Sequence, residues 1–299
     1  MNLKNLPKIG LGTFRMGTDE NTCEIIYNSI KDGTRMIDTA AVYGTEKGVG
    51  LGIKKAISEG LVKREDLFII TKCGKHARED PETAIKGSLK ELQLDYVDLY
   101  LDHWPLFLRI NEKGENFQLV PLHIFWPKFE SLVEKGYTKY IGVSNYNVQT
   151  LIDLLSFCKI KPFANEVEFH PYLYQKNLLY FCEKENIKVL GYNPLCKGQY
   201  DYHTGSEKIN VELLDHPIIK ELAEKYKKTP GQIVLNWEIQ KNVIPIPATK
   251  KSSRMKENLG SLEFNIEKED IEKVDSLNKN YRFGSSLTWN ILDKYDIFA

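Results

Sequence analysis

Four side chains stand out by type and by position. Asp38 and Tyr43 lie in Ile37-Asp38-Thr39-Ala40-Ala41-Val42-Tyr43-Gly44, Lys72 closes Ile70-Thr71-Lys72, and His103 sits in Leu101-Asp102-His103-Trp104-Pro105. Each follows a short apolar run. A phenol, with a pKa of about 10, is a poor proton donor at neutral pH. A nearby ammonium stabilises the phenolate and lowers that pKa. An aspartate paired with the lysine would hold it in place, and an imidazole beside them could orient a carbonyl oxygen or relay a proton. Brought together, the four form an acid system suited to reducing C=O, provided a hydride source lies alongside. Singly each has an ordinary reading: Asp38 as a helix cap, Lys72 as a solvated charge, Tyr43 as a packing ring, His103 as a satisfied core histidine. Their repetition at equivalent strand ends argues for convergence.

The elements that must position them alternate along the whole chain. Candidate strands are Ile9–Gly12, Met36–Thr39, Leu67–Thr71, Val97–Leu101, Tyr140–Val143, Ala164–Phe169, Ile187–Gly191 and Val243–Pro247. They are short and rich in Ile, Val, Leu, Phe and Tyr, as buried parallel strands are. Between them run amphipathic helices. Cys23, Ile26, Tyr27 and Ile30 recur at helical spacing, as do Val49, Ile53, Ala56 and Ile57, and Leu151, Leu154, Leu155 and Cys158. Asp80-Pro81 reads as a cap before a first-turn proline, and Thr229-Pro230-Gly231-Gln232 as a capping box. Eight strand–helix units with no evident break predict a (β/α)8 TIM barrel occupying 1–299 as a single domain, with a doubly wound sheet as the alternative. Two long connections, about Pro105–Pro121 and Cys196–Asp215, follow strands and so belong over the C-terminal face, where barrel sites lie. The tail after Asn278 carries Tyr281, Phe283, Trp289, Tyr295 and Phe298, and is expected to pack near that face.

Composition narrows the function classes. The chain has 299 residues, 42% of them hydrophobic, with 41 Lys+Arg against 41 Asp+Glu. That balance offers no footprint for nucleic acid or an anionic membrane. No run approaches the length of a membrane span, and the first residues have no signal-peptide core. The five cysteines, Cys23, Cys73, Cys158, Cys182 and Cys196, are scattered. They suggest neither a disulfide framework nor a zinc site, but a reducing cytoplasm with most of them buried. The six histidines form no recognised metal motif, so no metal is expected. No heptad or apolar stripe demands an obligate dimer, which leaves a monomer or weak homodimer acting on a small molecule.

Several stretches together resemble one family. Gly10-Leu11-Gly12-Thr13, the segment from Ile37 to Gly44, LDYVDLYLDHWP (Leu94–Pro105), GVSNYN (Gly142–Asn147), FHPYL (Phe169–Leu173) and IPIPATKKSSRMKENL (Ile244–Leu259) are similar to the aldo-keto reductases. EGLVKREDLFIITK (Glu59–Lys72) and the tail from Arg282 point to the xylose and aldose reductase branch. The resemblance spans nearly the whole chain in order. It implies a barrel that reduces aldehydes and ketones with NAD(P)H and has no Rossmann domain; no GxGxxG follows a strand here. It implies that Tyr43 is the general acid, Lys72 its partner, Asp38 the anchor of Lys72, and His103 the group that orients the carbonyl. Ser144 and Asn145 would hold the carboxamide of the nicotinamide, Tyr192 would stack on its ring, and Gly12 and Thr13 would lie against the cofactor. Leu195 and the loop after it would cover the pyrophosphate. Thr249, Lys250, Arg254, Glu257 and Asn258 would meet the adenosine end.

The sequence departs from the family in places that bear on ligand choice. Ala248 stands where a lysine usually meets the 2′-phosphate of NADPH, although Lys250, Lys251 and Arg254 follow closely. NADPH is the favoured cofactor, with NADH use left open. Glu166 replaces a glutamine of the carboxamide site. A carboxylate can accept from the amide NH2 but cannot donate to its oxygen, so either Ser144 and Asn145 act alone or Glu166 is protonated or paired. Phe14 replaces a pocket Trp, Val42 replaces an Asp before the tyrosine, and Gly284 replaces an Asn after Arg-Phe. The loss of polar partners should disfavour sugars relative to apolar or aromatic aldehydes. Trp104, Phe107, Phe125 and Trp289 are candidate pocket walls. Two other functions remain open on sequence: a non-catalytic NADP-binding regulatory or structural barrel, and a lyase or isomerase on the same fold.

Overall fold

The computed structural model describes residues 6–105, 120–196 and 212–284. The eight apolar runs are eight strands: β1 (Leu11–Gly12), β2 (Met36–Asp38), β3 (Phe68–Cys73), β4 (Val97–Asp102), β5 (Thr138–Ser144), β6 (Ala164–Glu168), β7 (Lys188–Tyr192) and β8 (Val243–Ile246). Each pairs in parallel with the next in chain order. The ring is drawn closed where the Gly10 and Gly12 N–H groups donate to the Pro245 and Pro247 carbonyls at 2.9 and 3.0 Å, beside a parallel bridge from Gly12 to Ala248. A doubly wound sheet would instead reverse its strand order and keep two edges, so the barrel is the correct reading.

The helices are α1 (Asp19–Lys31), α2 (Glu46–Ser58), α3 (Pro81–Leu92), α4 (Leu122–Glu134), α5 (Val148–Phe157), α6 (Lys176–Lys184), α7 (Pro217–Tyr226), α8 (Pro230–Gln240), α9 (Ser252–Leu259) and α10 (Lys268–Asp275). Both expected starts are present. Asp80 accepts from the Thr83 N–H at 3.0 Å ahead of Pro81, and Thr229 and Gln232 cap each other reciprocally. The stripe of α1 is rotated from its expected position: Thr22, Ile25, Ile26, Ser29 and Ile30 face inward, while Cys23 and Tyr27 sit at the margin. Glycines of α2 explain this. A Cβ at Gly48 would stand 2.7 Å from the Thr22 Cβ, and one at Gly52 2.8 Å from the Ile26 Cβ. The two helices approach so closely that small Thr22 can lie inside.

Two apolar layers result. The larger lies between strands and helices. The smaller fills the barrel with Met36, Phe68, Ile70, Leu99, Leu101, Ala164, Leu190, Ile244 and Ile246. Side chains alternate along a strand, so this inner set decides which residues come next at the top of the barrel. Met36 inside puts Asp38 inside. Phe68 and Ile70 do the same for Lys72, Leu101 for His103, Ala164 for Glu166, and Leu190 for Tyr192. Three of the five cysteines, Cys73, Cys182 and Cys196, are buried, and all five are free thiols. Among the described residues no helix is long and apolar enough to cross a membrane.

Candidate active site

A cleft of about 1360 Å³ opens over the C-terminal ends of the strands. Lys72 lies at its floor. Its Nζ donates to both oxygens of Asp38, at 2.7 and 2.6 Å, and to the Thr39 carbonyl at 3.1 Å. Glu166 Oε1 is 3.3 Å away, and its carboxyl also lies within hydrogen-bond reach of Asp38. Lys72, Asp38 and Glu166 are all buried. Burial works against the charge on Lys72, but Asp38 and then Glu166 outweigh it and raise its pKa, so the lysine is an ammonium. Two carboxyls around one ammonium leave one of them poorly compensated. That one is Glu166: burial first, then the charge of Asp38, push its pKa up to about 8.

Tyr43 stands above the lysine, the ammonium 4.9 Å from its ring centre. It is carried on a single 3-10 turn, Ala41–Tyr43, which Gly44 ends at φ 66°, a left-handed conformation natural to glycine. A run of hydroxyls holds this loop against the barrel: Thr45 Oγ1 is 3.1 Å from both Thr13 Oγ1 and Thr39 Oγ1. Withdrawal from bulk water raises the phenol's pKa. Lys72 pulls it back, and Asp38 and Glu166 oppose that pull. The net direction is upward, opposite to what the lysine alone predicts, so the phenol keeps its proton until a strong base forms beside it. The His103 ring meets Tyr43 edge-on with centroids 5.7 Å apart. Burial and then the Lys72 charge hold its imidazole well below the usual histidine range, so it is neutral.

On the other side of the floor, Ser144, Asn145, Glu166 and Tyr192 meet. The Ser144 hydroxyl donates to the Glu166 carbonyl at 2.9 Å. The Asn145 amide donates to the His103 carbonyl at 3.0 Å and to Ser144 Oγ at 3.1 Å. The Tyr192 hydroxyl donates to Asn145 Oδ1 at 2.8 Å. Asn145 adopts φ 65° to reach all three partners. Glu166 Oε2 is buried beside the open cleft.

Further along, the cleft is lined by Gly12, Leu195, Ala248, Thr249, Lys250, Lys251, Arg254, Glu257 and Asn258. Lys250, Lys251 and Arg254 are exposed and gather at the start of α9. Glu257 is tied by the Thr229 hydroxyl at 2.7 Å. The residues present fit a nicotinamide dinucleotide: acceptors and a buried carboxyl at one end, a flat phenol ring between, and cations at the other end beside a helix start, which favours an anion.

The structure thus brings Asp38, Tyr43, Lys72 and His103 together, with Phe14 (4.9 Å from Tyr43 between ring centres) and Trp104 in the wall. Two of the candidate side chains point elsewhere. Thr13 turns into the protein, buried on Thr45, and does not line the cleft. Phe125 belongs to the outer core, with the Arg78 guanidinium 4.4 Å over its ring, because its helix lies outside the barrel. Phe107 and Trp289, and most of both long connections, lie outside the described residues.

Sequence reasoning missed two features. Behind His103, Arg78 makes a buried two-pronged pair with Asp102, and the Tyr146 hydroxyl donates to the same carboxylate at 2.6 Å. The signal was a second aspartate, closing a strand that already carries Asp98. Beside the mouth, Glu168 accepts from the Phe283 and Gly284 N–H groups at 3.0 and 2.8 Å, and from the Asn193 amide at 3.2 Å. His170 Nε2 lies 3.0 Å from the same carboxylate. Nothing in the local sequence announced that latch.

A parallel barrel with a phenol, a buried ammonium–carboxylate pair and a neutral imidazole at one mouth, in a cleft of about 1360 Å³, defines a carbonyl-reducing oxidoreductase. The model of the Aldo/keto reductase family matches residues 8–279, and the chain belongs to that family. It is 38% identical to an uncharacterised oxidoreductase, YtbE, of Bacillus subtilis, over 93% of this chain and 91% of that one. It is 37% identical to aldose reductase C of Dictyostelium discoideum, over 95% of this chain and 90% of the relative. It is also 37% identical to the NAD(P)H-dependent D-xylose reductase I,II of Candida tropicalis, over 95% and 93%. The chain is an NAD(P)H-dependent oxidoreductase.

Proposed function

We propose that this protein reduces aldehydes and ketones to alcohols with NADPH as the favoured reductant, and that Tyr43 is the proton donor. The observation that supports the reading best is the Lys72–Asp38 pair, buried directly beneath Tyr43 and beside neutral His103. The bound cofactor supplies the hydride. Ser144, Asn145, Glu166 and Tyr192 hold and face its nicotinamide end, with Gly12 and Leu195 along its length. Lys250, Arg254, Glu257, Asn258 and Thr249 take the adenosine end. His103, neutral, donates to the substrate oxygen and fixes its direction. As the oxygen gains charge it becomes a far stronger base than a phenolate, so Tyr43 releases its proton even with a raised pKa. Lys72 then stabilises the phenolate left behind, and Asp38 keeps Lys72 in place.

Cofactor choice follows from charge at the far end. Ala248 removes one cation, but Lys250, Lys251 and Arg254 remain at the mouth of α9, and Arg254 can stack and pair with a phosphate at once. Substrate choice follows from the walls. Phe14 and the exposed Val42 side chain border Tyr43, and Gly284 brings no side chain. Small apolar or aromatic aldehydes should outcompete xylose. The protein works as one domain in the reducing cytoplasm, as a monomer or weak homodimer.

The test follows loss of reduced-nicotinamide absorbance with NADPH and with NADH, against xylose, glyceraldehyde and benzaldehyde. Aldehyde-dependent oxidation supports the reductase. A kcat/KM for xylose above that for benzaldehyde would sink the substrate preference, and cofactor binding without turnover on any aldehyde would favour a regulatory barrel.

A further inference from the structure

We propose that Arg78 is a positioning residue for His103: with Asp102 and Tyr146 it forms a buried polar clamp that fixes the backbone from which the imidazole is aimed at the substrate oxygen. The inference rests on the reductase reading above, in which His103 directs the carbonyl.

The imidazole has little of its own to hold it. Among the described residues no hydrogen bond reaches either ring nitrogen. The ring meets Tyr43 edge-on and lies near Trp104, with 6.4 Å between centres. Its direction is therefore set by these rings and by its own backbone, just past the end of β4. The His103 N–H donates to the Cys73 carbonyl of β3 at 3.1 Å. The His103 carbonyl accepts from the Asn145 amide, just past β5, at 3.0 Å. The preceding residue, Asp102, points to the opposite side of the strand, and the clamp grips it there.

Three strand ends contribute to the clamp. Arg78 comes from the loop after β3, Asp102 from the end of β4 and Tyr146 from the turn after β5. Arg78 Nε donates to one Asp102 oxygen at 2.9 Å, and Nη2 donates to the other. The Tyr146 hydroxyl closes the circuit: it accepts from Arg78 Nη2 at 2.9 Å and donates to Asp102 at 2.6 Å. All three residues are buried, and the guanidinium lies 4.4 Å over the Phe125 ring. Tyr146 is itself fixed, since its backbone exchanges hydrogen bonds with the Asn165 amide of β6. The clamp thus holds the residue before His103, and also the neighbour of the asparagine that binds the His103 carbonyl.

Stability alone does not call for such a cluster. Three apolar side chains would fill the space without the cost of burying charge. What the polar groups add is direction, because a guanidinium fork meets a carboxylate in one plane and at one distance. Apolar packing tolerates small shifts. A group that orients a reacting carbonyl does not, since a misplacement of about 1 Å costs about a hundredfold in rate.

The test replaces the cluster as a whole. Arg78→Met/Asp102→Leu/Tyr146→Phe leaves no buried charge unpaired and should keep the fold. Hydride transfer is read in a single turnover, with enzyme in excess over NADPH and benzaldehyde saturating. An unfolded fraction lowers the amplitude of that signal but not its rate constant. The rate constant should fall about tenfold or more. Tyr146→Phe, which keeps the ring and the ion pair, should lower it about threefold, and it carries the test if the triple variant does not fold. Each change is then repeated in a His103→Ala background. There it should cost less than about twofold further, because a residue that acts through His103 has nothing left to position. An unchanged rate constant in either variant, or the same loss with and without His103, overturns the proposal and leaves the reductase reading intact. A wild-type chain that oxidises NADPH with no aldehyde overturns both.

Discussion

Lys72 Nζ reaches both carboxylate oxygens of Asp38, at 2.7 and 2.6 Å, across the gap between β3 and β2. The lysine side chain is 0% exposed and the aspartate 4%. A buried pair of this kind is weak evidence for stability, since desolvation cancels much of the attraction, but breaking it from one side is costly. Lys72→Met should cost roughly 3–5 kcal/mol, because the buried Asp38 carboxylate is left without a cation. Adding Asp38→Asn should recover a large part of the loss. Chemical denaturation of the two variants and the double variant decides this. A double variant less stable than Lys72→Met would show that the pair is not coupled in this way.

Tyr43→Phe removes the proton donor while leaving the ring against Phe14 and His103. Reduction of benzaldehyde should fall by about a hundredfold or more, within the range typical of lost general acids. NADPH affinity should stay within about twofold. Turnover at the wild-type rate would remove Tyr43 from its assigned role.

The cofactor's far end is tested by Arg254→Ala and Ala248→Lys. Loss of one charge-assisted contact to a phosphate corresponds to about 10- to 100-fold in Kd. NADPH binding should weaken by that much in Arg254→Ala, with NADH nearly unaffected. Ala248→Lys should move the preference further toward NADPH. Equal losses for both cofactors in Arg254→Ala would mean that it reads the adenine rather than the 2′-phosphate.

Glu168 anchors the start of the C-terminal segment through the N–H groups of Phe283 and Gly284. Burial disfavours its charge, but His170, the Gly284 N–H and Arg282 prevail and lower its pKa. A lowered folded value means that its contribution is present above the unfolded value of about 4.3 and is lost as pH falls through the folded one. Hydrogen exchange at Phe283 and Gly284 should accelerate on acidification below about pH 4. In Glu168→Ala it should be fast at neutral pH, with a raised KM for the aldehyde. Unchanged protection in that variant would dismiss the latch.

Helix packing offers a test independent of chemistry. A Cβ at Gly50 on α2 would collide with the Leu92 carbonyl at the end of α3. Backbone cannot retreat as a flexible side chain can, so Gly50→Ala should lower stability by about 1–3 kcal/mol despite its better helix propensity. A melting temperature equal to the wild type would show that α2 and α3 can separate.

Much of this was legible in the chain itself. Short apolar runs set the eight strands to within two residues, because a strand buried on both faces tolerates little else. The period of two along β2, β3 and β4 already sends Asp38, Lys72 and His103 to the side occupied by Met36, Ile70 and Leu101. Local rules also fixed both helix starts, since a cap needs only neighbouring residues. Contacts between distant segments followed no such rule. The rotation of α1 depends on the glycine face of α2, and the burial of Phe125 on which side of the barrel α4 lies. The Glu168 latch joins residues 115 and 116 positions apart. The protonation of Glu166 was the sharpest case. The sequence showed an acid in place of an amide and left its state open. Only the barrel, by setting Asp38 and Glu166 within hydrogen-bond reach of each other beside one buried ammonium, decided that the two carboxyls could not both be charged.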